Sequence, residues 1–149
     1  MKNNKKLLEK LEAFYKLEEF QVAYYKAQVS ESQNEYYRRA FSKMVDIESN
    51  HAKYFAEQLT ILDIEVPKLT GSLFTLAGSI LGESVELTGS LNTLKLGIKL
   101  ESKAIEMYKI FIEETKDYPV IHNTLWDYLL EEEFHTLWMK DYLDKFREK

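Results

Sequence analysis

Apolar residues recur along this chain in alternating steps of three and four, the period of a helix that buries one face. A first helix, A, is expected over residues 5–29, with Leu7, Leu11, Phe14, Val22, Tyr25 and Val29 on its stripe. Helix B, over residues 33–62, carries Tyr37, Phe41, Val45, Ala52, Phe55 and Leu59, and follows a polar stretch, SESQNE. Helix C, over residues 84–114, uses Leu87, Leu91, Leu94, Ile98, Ile105, Tyr108 and Ile112. Helix D, over residues 119–146, opens on Pro119, a residue suited to a first turn because the N–H it lacks would have no helical partner there. Its stripe is Leu125, Leu129, Met139 and Leu143. Residues 63–83 form the connector between B and C. They contain Pro67, Gly71, Gly78 and Gly82, with a short apolar helix expected after Ser72.

The gaps in the stripes hold residues that an apolar core should refuse. Glu18 interrupts helix A, Glu48 and His51 helix B, Glu101 helix C, and Glu132 and His135 helix D. A buried carboxylate is costly unless a cation compensates it, against a total stability of about 5–15 kcal/mol. The two halves also repeat. KLEEFQVAYYK (Lys16 to Lys26) matches KLESKAIEMYK (Lys99 to Lys109) at Lys, Leu, Glu, Tyr and Lys, and Glu48-Ser-Asn-His51 matches Glu132-Glu-Phe-His135.

Each half is therefore a helical hairpin that gives one Glu from its first helix and Glu-x-x-His from its second. Residues three apart lie on neighbouring azimuths one turn apart, so that Glu and His can grasp one ion while the Glu bridges to a second. Two facing hairpins would supply four carboxylates and two imidazoles, whose charge of −4 two divalent ions would balance. Helix C would then run parallel to helix B, and the connector would cross the length of the bundle. The expected architecture is all-α, a single antiparallel four-helix bundle over residues 1–149 with a long crossover containing a short helix.

Composition narrows the chemistry. The 149 residues include no Cys, which removes disulfides, thiolate zinc sites, iron–sulfur clusters and thiol catalysis, so any metal must be held by nitrogen and oxygen. Twenty Lys plus Arg against 25 Asp plus Glu give a net charge of −5, contrary to the basic footprint of a nucleic-acid binder. The charged amino terminus lacks the apolar core of a secretory signal peptide, and a cytoplasmic location is expected. The least polar stretch, GSLFTLAGSILG from Gly71 to Gly82, is far shorter than the roughly 20 residues a membrane span needs.

Nearby polar residues read differently. Glu19, Glu131 and Glu133 have Lys16, Lys26, Asp127 and Lys140 three, four or seven residues away, one or two turns along the same face, and fit a solvated face, as does Glu106. His122 fits a surface position. Tyr25 and Tyr108 each lie seven residues after a proposed ligand, two turns along the same face, where they could orient ligands or relay electrons. Trp126 and Trp138 fit a bundle core. The small residues Ala23, Ala27, Gly97 and Ala104 are nearest in sequence to the ligand layer, and an opening toward the metals is expected beside them.

The constellation of two Glu and two Glu-x-x-His resembles the ferritin-like di-iron carboxylate superfamily across essentially the whole chain. Within it, MVDIESNHAKYFAEQL, the connector VPKLTGSLFTLAGSILGESVEL and LESKAIEMY are similar to the demethoxyubiquinone hydroxylase family. Glu101, Ala104 and Tyr108 follow the Glu-x-x-Ala-x-x-x-Tyr pattern of the more distant rubrerythrins. The resemblance implies a pair of iron ions, or manganese, held by Glu18, Glu48, His51, Glu101, Glu132 and His135, with Tyr25 and Tyr108 behind them. It implies an oxidoreductase, hydroxylase-like, that activates O2 or peroxide with an external electron donor. Rubrerythrin-like peroxide reduction and ferroxidase or iron-handling activity are the alternatives. A homodimer and peripheral membrane contact through residues 73–81 are further interactions compatible with it.

Overall fold

The structure, a computed structural model, describes residues 2–32, 34–71, 75–77 and 89–148. It is all-α, of the four-helix-bundle class. Four long helices, α1 (Lys2–Glu31), α2 (Glu35–Ile61), α3 (Gly89–Glu114) and α4 (Pro119–Arg147), correspond to helices A to D. Residues 75–77 are helical and belong to the expected connecting helix. The remainder of that helix and the expected start of helix C at 84–88 lie outside the described residues. Helix α1 runs past the expected 5–29 at both ends. The apolar stripe marks only residues with a face to bury, whereas a frame of good helix formers continues, supported at the surface by pairs such as Lys5 with Glu9.

The chain divides into two compact units, residues 1–80 and 81–149. In the first, α1 and α2 form a hairpin. Asn34 caps α2, its Oδ1 accepting from the backbone N–H of Tyr36 at 2.9 Å and of Tyr37 at 3.3 Å. Two of the otherwise orphaned donors at the helix start are thereby satisfied. The far end of α2 stops at Asp63, whose φ of 58° lies in the left-handed region. This lets the Ile64 N–H turn back to the Leu59 carbonyl at 3.0 Å. The hairpin core holds Leu11, Phe14, Leu17, Phe20, Phe41, Phe55 and Leu59, all nearly inaccessible to solvent.

The second unit is the hairpin of α3 and α4, with Leu94, Leu100, Tyr108, Phe111, Leu125, Leu129 and Met139 buried. The turn is tight. Thr115 Oγ1 donates to the Phe111 carbonyl at 3.0 Å, and Tyr118 N–H to Thr115 O at 2.8 Å, before Pro119 starts α4. His122 is more than the expected surface residue. Half-buried in the first turns of α4, it sits with Nδ1 3.1 Å from the Ile112 carbonyl, and its Nε2 accepts from Trp126 Nε1 at 3.3 Å. The two bonds together select the neutral tautomer with the proton on Nδ1, which ties the end of α3 to the start of α4. Among the described residues, no helix is long and apolar enough to cross a membrane.

Candidate metal centre

In the first unit, α1 contributes Glu18 and α2 contributes Glu48 and His51, all three essentially inaccessible to solvent. The antiparallel register places them in one layer. His51 Nδ1 lies 3.4 Å from Glu18 Oε2 and 3.3 Å from Glu48 Oε2. Aromatic pairs bracket the layer on both sides along the hairpin. Phe14 and Phe55, each four residues from a member of the triplet, stack at 4.9 Å, and Tyr25 stacks on Phe41 at 6.1 Å. The same periodicity that builds the core thus brings three polar groups together inside it.

The second unit repeats the arrangement. Glu101 comes from α3 and Glu132 and His135 from α4, all buried, with His135 Nδ1 3.6 Å from Glu101 Oε1. Tyr108 is fully buried and meets Tyr128 edge to face at 6.3 Å. In each unit the two Glu and the His offer ligand atoms within 4.8 Å of one another.

Burial and like charge act on these acids in the same direction. Loss of water first, and then the neighbouring Glu48 carboxylate, push the Glu18 carboxyl up to about 8, with His51 only partly opposing them. Glu101 is held well above the usual carboxylate range, first by burial and then by Glu132. Four carboxylates are buried, and among the described residues no Lys or Arg is buried with them. The donor set per unit, two carboxylates and an imidazole with no sulfur, fits iron or manganese. On this chemistry the residues present suit a divalent ion in each triplet.

Residues outside the two triplets fall as their surroundings dictate. Glu133 is partly exposed and pairs with Lys109 at 3.4 Å, and exposed Glu106 pairs with Lys103 at 3.8 Å. Glu19 and Glu131 are half-buried. Trp138 is half-buried and stacks on Tyr142 at 5.4 Å. Trp126, expected in the core, is 46% exposed on the outer face of α4. Ala104 is fully buried and Gly97 buried, so neither lines an opening to solvent, while Ala23 and Ala27 are half-buried. Gln21, buried three residues after Glu18 on the same face, was not among the expected site residues. Its signal was its place: it occupies the repeat position matched by Ala104 in the second half.

No family model matches the chain, and no curated protein matches it. Solved structures do. A ferritin-like, diiron-carboxylate protein from Bacillus anthracis superposes with a TM-score of 0.73 at 17% identity, over 93% of this chain and 96% of its own. The bacterioferritin-related protein of Bacteroides fragilis, a dodecameric thioferritin, superposes with a TM-score of 0.76 at 22% identity, over 97% of this chain and 88% of its own. Coverage of nearly the whole length on both sides shows that this chain has the ferritin-like fold.

Proposed function

We propose that the chain is a di-metal oxidoreductase in which the two triplets together hold a pair of iron or manganese ions. Glu18 and Glu101 would bind one ion each, Glu48 and Glu132 would bridge, and His51 and His135 would complete the two coordination spheres. The single observation that carries this reading is the duplication, in each hairpin, of two buried carboxylates beside a buried imidazole. Such a metal pair supplies redox chemistry toward O2 or peroxide, with electrons from an external donor.

The chain's own residues supply the conditions for it. The Phe14–Phe55 and Tyr25–Phe41 stacks exclude water from the first triplet, which strengthens every charge interaction inside. Glu18 holds a proton near neutral pH when no metal is bound and the Glu101 carboxyl is shifted in the same direction, so loading the site releases protons. Tyr25 and Tyr108, at matching positions of the repeat, are placed to orient ligands or pass electrons. The hydroxylase-like connector favours an organic substrate. Likeness in fold to a bacterioferritin-related protein favours a second reading, iron oxidation and handling.

Metal analysis of the protein expressed in iron-replete medium and purified without added metal tests the core of the proposal. About two iron or manganese ions per chain are expected. A content near zero would overturn it.

A further inference from the structure

We propose that Gln21 is a fourth donor to the ion of the first triplet, and that the two ions of the pair are therefore bound unequally. The inference rests on the di-metal reading above and assigns a residue which that reading leaves out.

Register places the side chain. In the first unit Phe14 stacks on Phe55 and Glu18 meets His51 at 3.4 Å, so each step forward along α1 is matched by an equal step back along α2. Three residues on from Glu18 and three back from His51, about 4.5 Å along the helix axes, stand Gln21 and Glu48, both buried. The second unit keeps the same register, with Glu101 3.6 Å from His135 and Tyr108 against Tyr128. Its equivalent pair is Ala104 and Glu132, also buried. The halves thus agree in every proposed ligand and differ at the position level with the second Glu, which holds a carboxamide in one and a methyl group in the other.

Chemistry assigns the carboxamide its role. Gln21 Oε1 is as inaccessible to solvent as Glu18 Oε2, both Glu48 carboxylate oxygens and His51 Nδ1. Taking an amide out of water is costly, and Ala104 shows that the repeat accepts an apolar side chain in this place. Along α1 the carboxamide has Glu18 on one side and the Tyr25 ring, stacked on Phe41, on the other. A carbonyl oxygen is a hard donor that joins carboxylates in holding ions such as Mn(II). The two carboxylates of the triplet already neutralise one divalent ion, so a further donor without charge adds affinity and leaves that balance intact. The first triplet should accordingly bind its ion more tightly than the second.

Anaerobic titration of the metal-free whole chain with Mn(II), followed by loss of the free-ion EPR signal, tests this. The wild type should bind two ions in separable steps. Gln21→Met keeps the length of the side chain and removes the oxygen, and should weaken the tighter step about tenfold or more while leaving the weaker one in place. Gln21→Glu keeps an oxygen at the same reach and should retain the tight step. The Mössbauer spectrum of the Fe(II)-loaded protein gives a second readout, with two unlike doublets in the wild type, one of which moves in Gln21→Met. A role in packing alone predicts the reverse, a lower Tm for metal-free Gln21→Met with both binding steps unaltered. The proposal is overturned by steps that Gln21→Met leaves unchanged or weakens equally, or by a Gln21→Glu protein that loses the tight step. Those outcomes leave the di-metal reading standing, whereas a wild type that binds no metal overturns that reading and this inference together.

Discussion

The Phe14 and Phe55 rings stack at 4.9 Å with an interplanar angle of 13°, one helical turn from Glu18 and His51 respectively. A dry aromatic layer therefore lies directly beside the polar one, and the two have opposite energetic signs. The aromatic pair contributes burial and stacking that help offset the cost of holding carboxylates away from water.

Truncating that layer should be expensive. Phe55→Ala is expected to destabilise the protein by about 3–5 kcal/mol, since a fully buried ring leaves a cavity the hairpin cannot fill. Phe55→Leu should lose much less. Denaturant melts of the two variants check this, and similar midpoints for both would show that the layer adapts rather than packs.

The cap at the start of α2 makes a smaller prediction. Asn34→Ala leaves the N–H groups of Tyr36 and Tyr37 without their side-chain acceptor and is expected to cost about 1 kcal/mol. Asn34→Asp should be nearly neutral. Chemical denaturation measures both, with no change in metal content expected for either.

Bridging residues are predicted to matter more for metal content than terminal ones. Glu48→Ala or Glu132→Ala should remove most of both ions, because one carboxylate serves two metals, whereas His51→Ala should leave a larger residue of bound metal. Metal analysis of the three variants after identical purification is the measurement. Equal and complete loss of one ion in every variant would mean that each triplet holds its own ion without a bridge.

The pH dependence of the metal-free protein has a definite sign. Glu18 carries a folded-state value of about 8 against about 4.5 when exposed, and Glu101 moves in the same direction. The folded state binds these protons more tightly than the unfolded one. The stability that Glu18 contributes is fully present below about pH 4.5 and is lost as pH rises through about 8, and that of Glu101 falls with rising pH in the same sense. The apo protein should therefore melt lower at pH 8 than at pH 5.5. Metal affinity should move oppositely, since ions displace the protons, and the gap in Tm between loaded and apo protein should widen with pH. Calorimetry of both forms checks it, and an apo Tm that rises over this window would contradict the shared burial of these acids.

Much of this is legible in the sequence itself, for reasons that differ between residues. Glu48 with His51 and Glu132 with His135 are local: a spacing of three on a helix fixes a shared face whatever the rest of the fold does. The burial of Gln21 is legible only through the repeat, which matches it to Ala104, because an amide on a helix otherwise looks like solvent-facing polarity. Trp126 misled for a related reason. Helix α4 carries two apolar faces, and Leu125, Leu129, Met139 and Leu143 differ from Trp126, Leu130, Phe134 and Leu137 only in phase. Periodicity alone does not say which face turns inward. The buried pair Glu132 and His135 shares its face with Leu125, Leu129, Met139 and Leu143, which leaves the other outward.

Iron accounting distinguishes an oxidoreductase from an iron-handling protein that shares its fold. Each proposed ligand has a fixed place in the two triplets, so a catalyst keeps the same two ions through repeated cycles of reduction and oxidation. An iron-handling protein uses the same carboxylates as a station on the way to somewhere else and takes up fresh Fe(II) each time. Anaerobic addition of Fe(II) in excess, exposure to air, desalting and metal analysis, repeated over several rounds, separates the two. For the oxidoreductase, bound iron should stay at about two per chain while the protein consumes oxidant only as fast as an external reductant is supplied. A bound content that climbs with each round would remove the oxidoreductase reading in favour of iron handling. Glu48→Ala supplies the internal control, because the loss of a bridge should abolish retention in the first case and uptake in the second. Any iron that this variant still accumulates would lie on the protein surface and count toward neither.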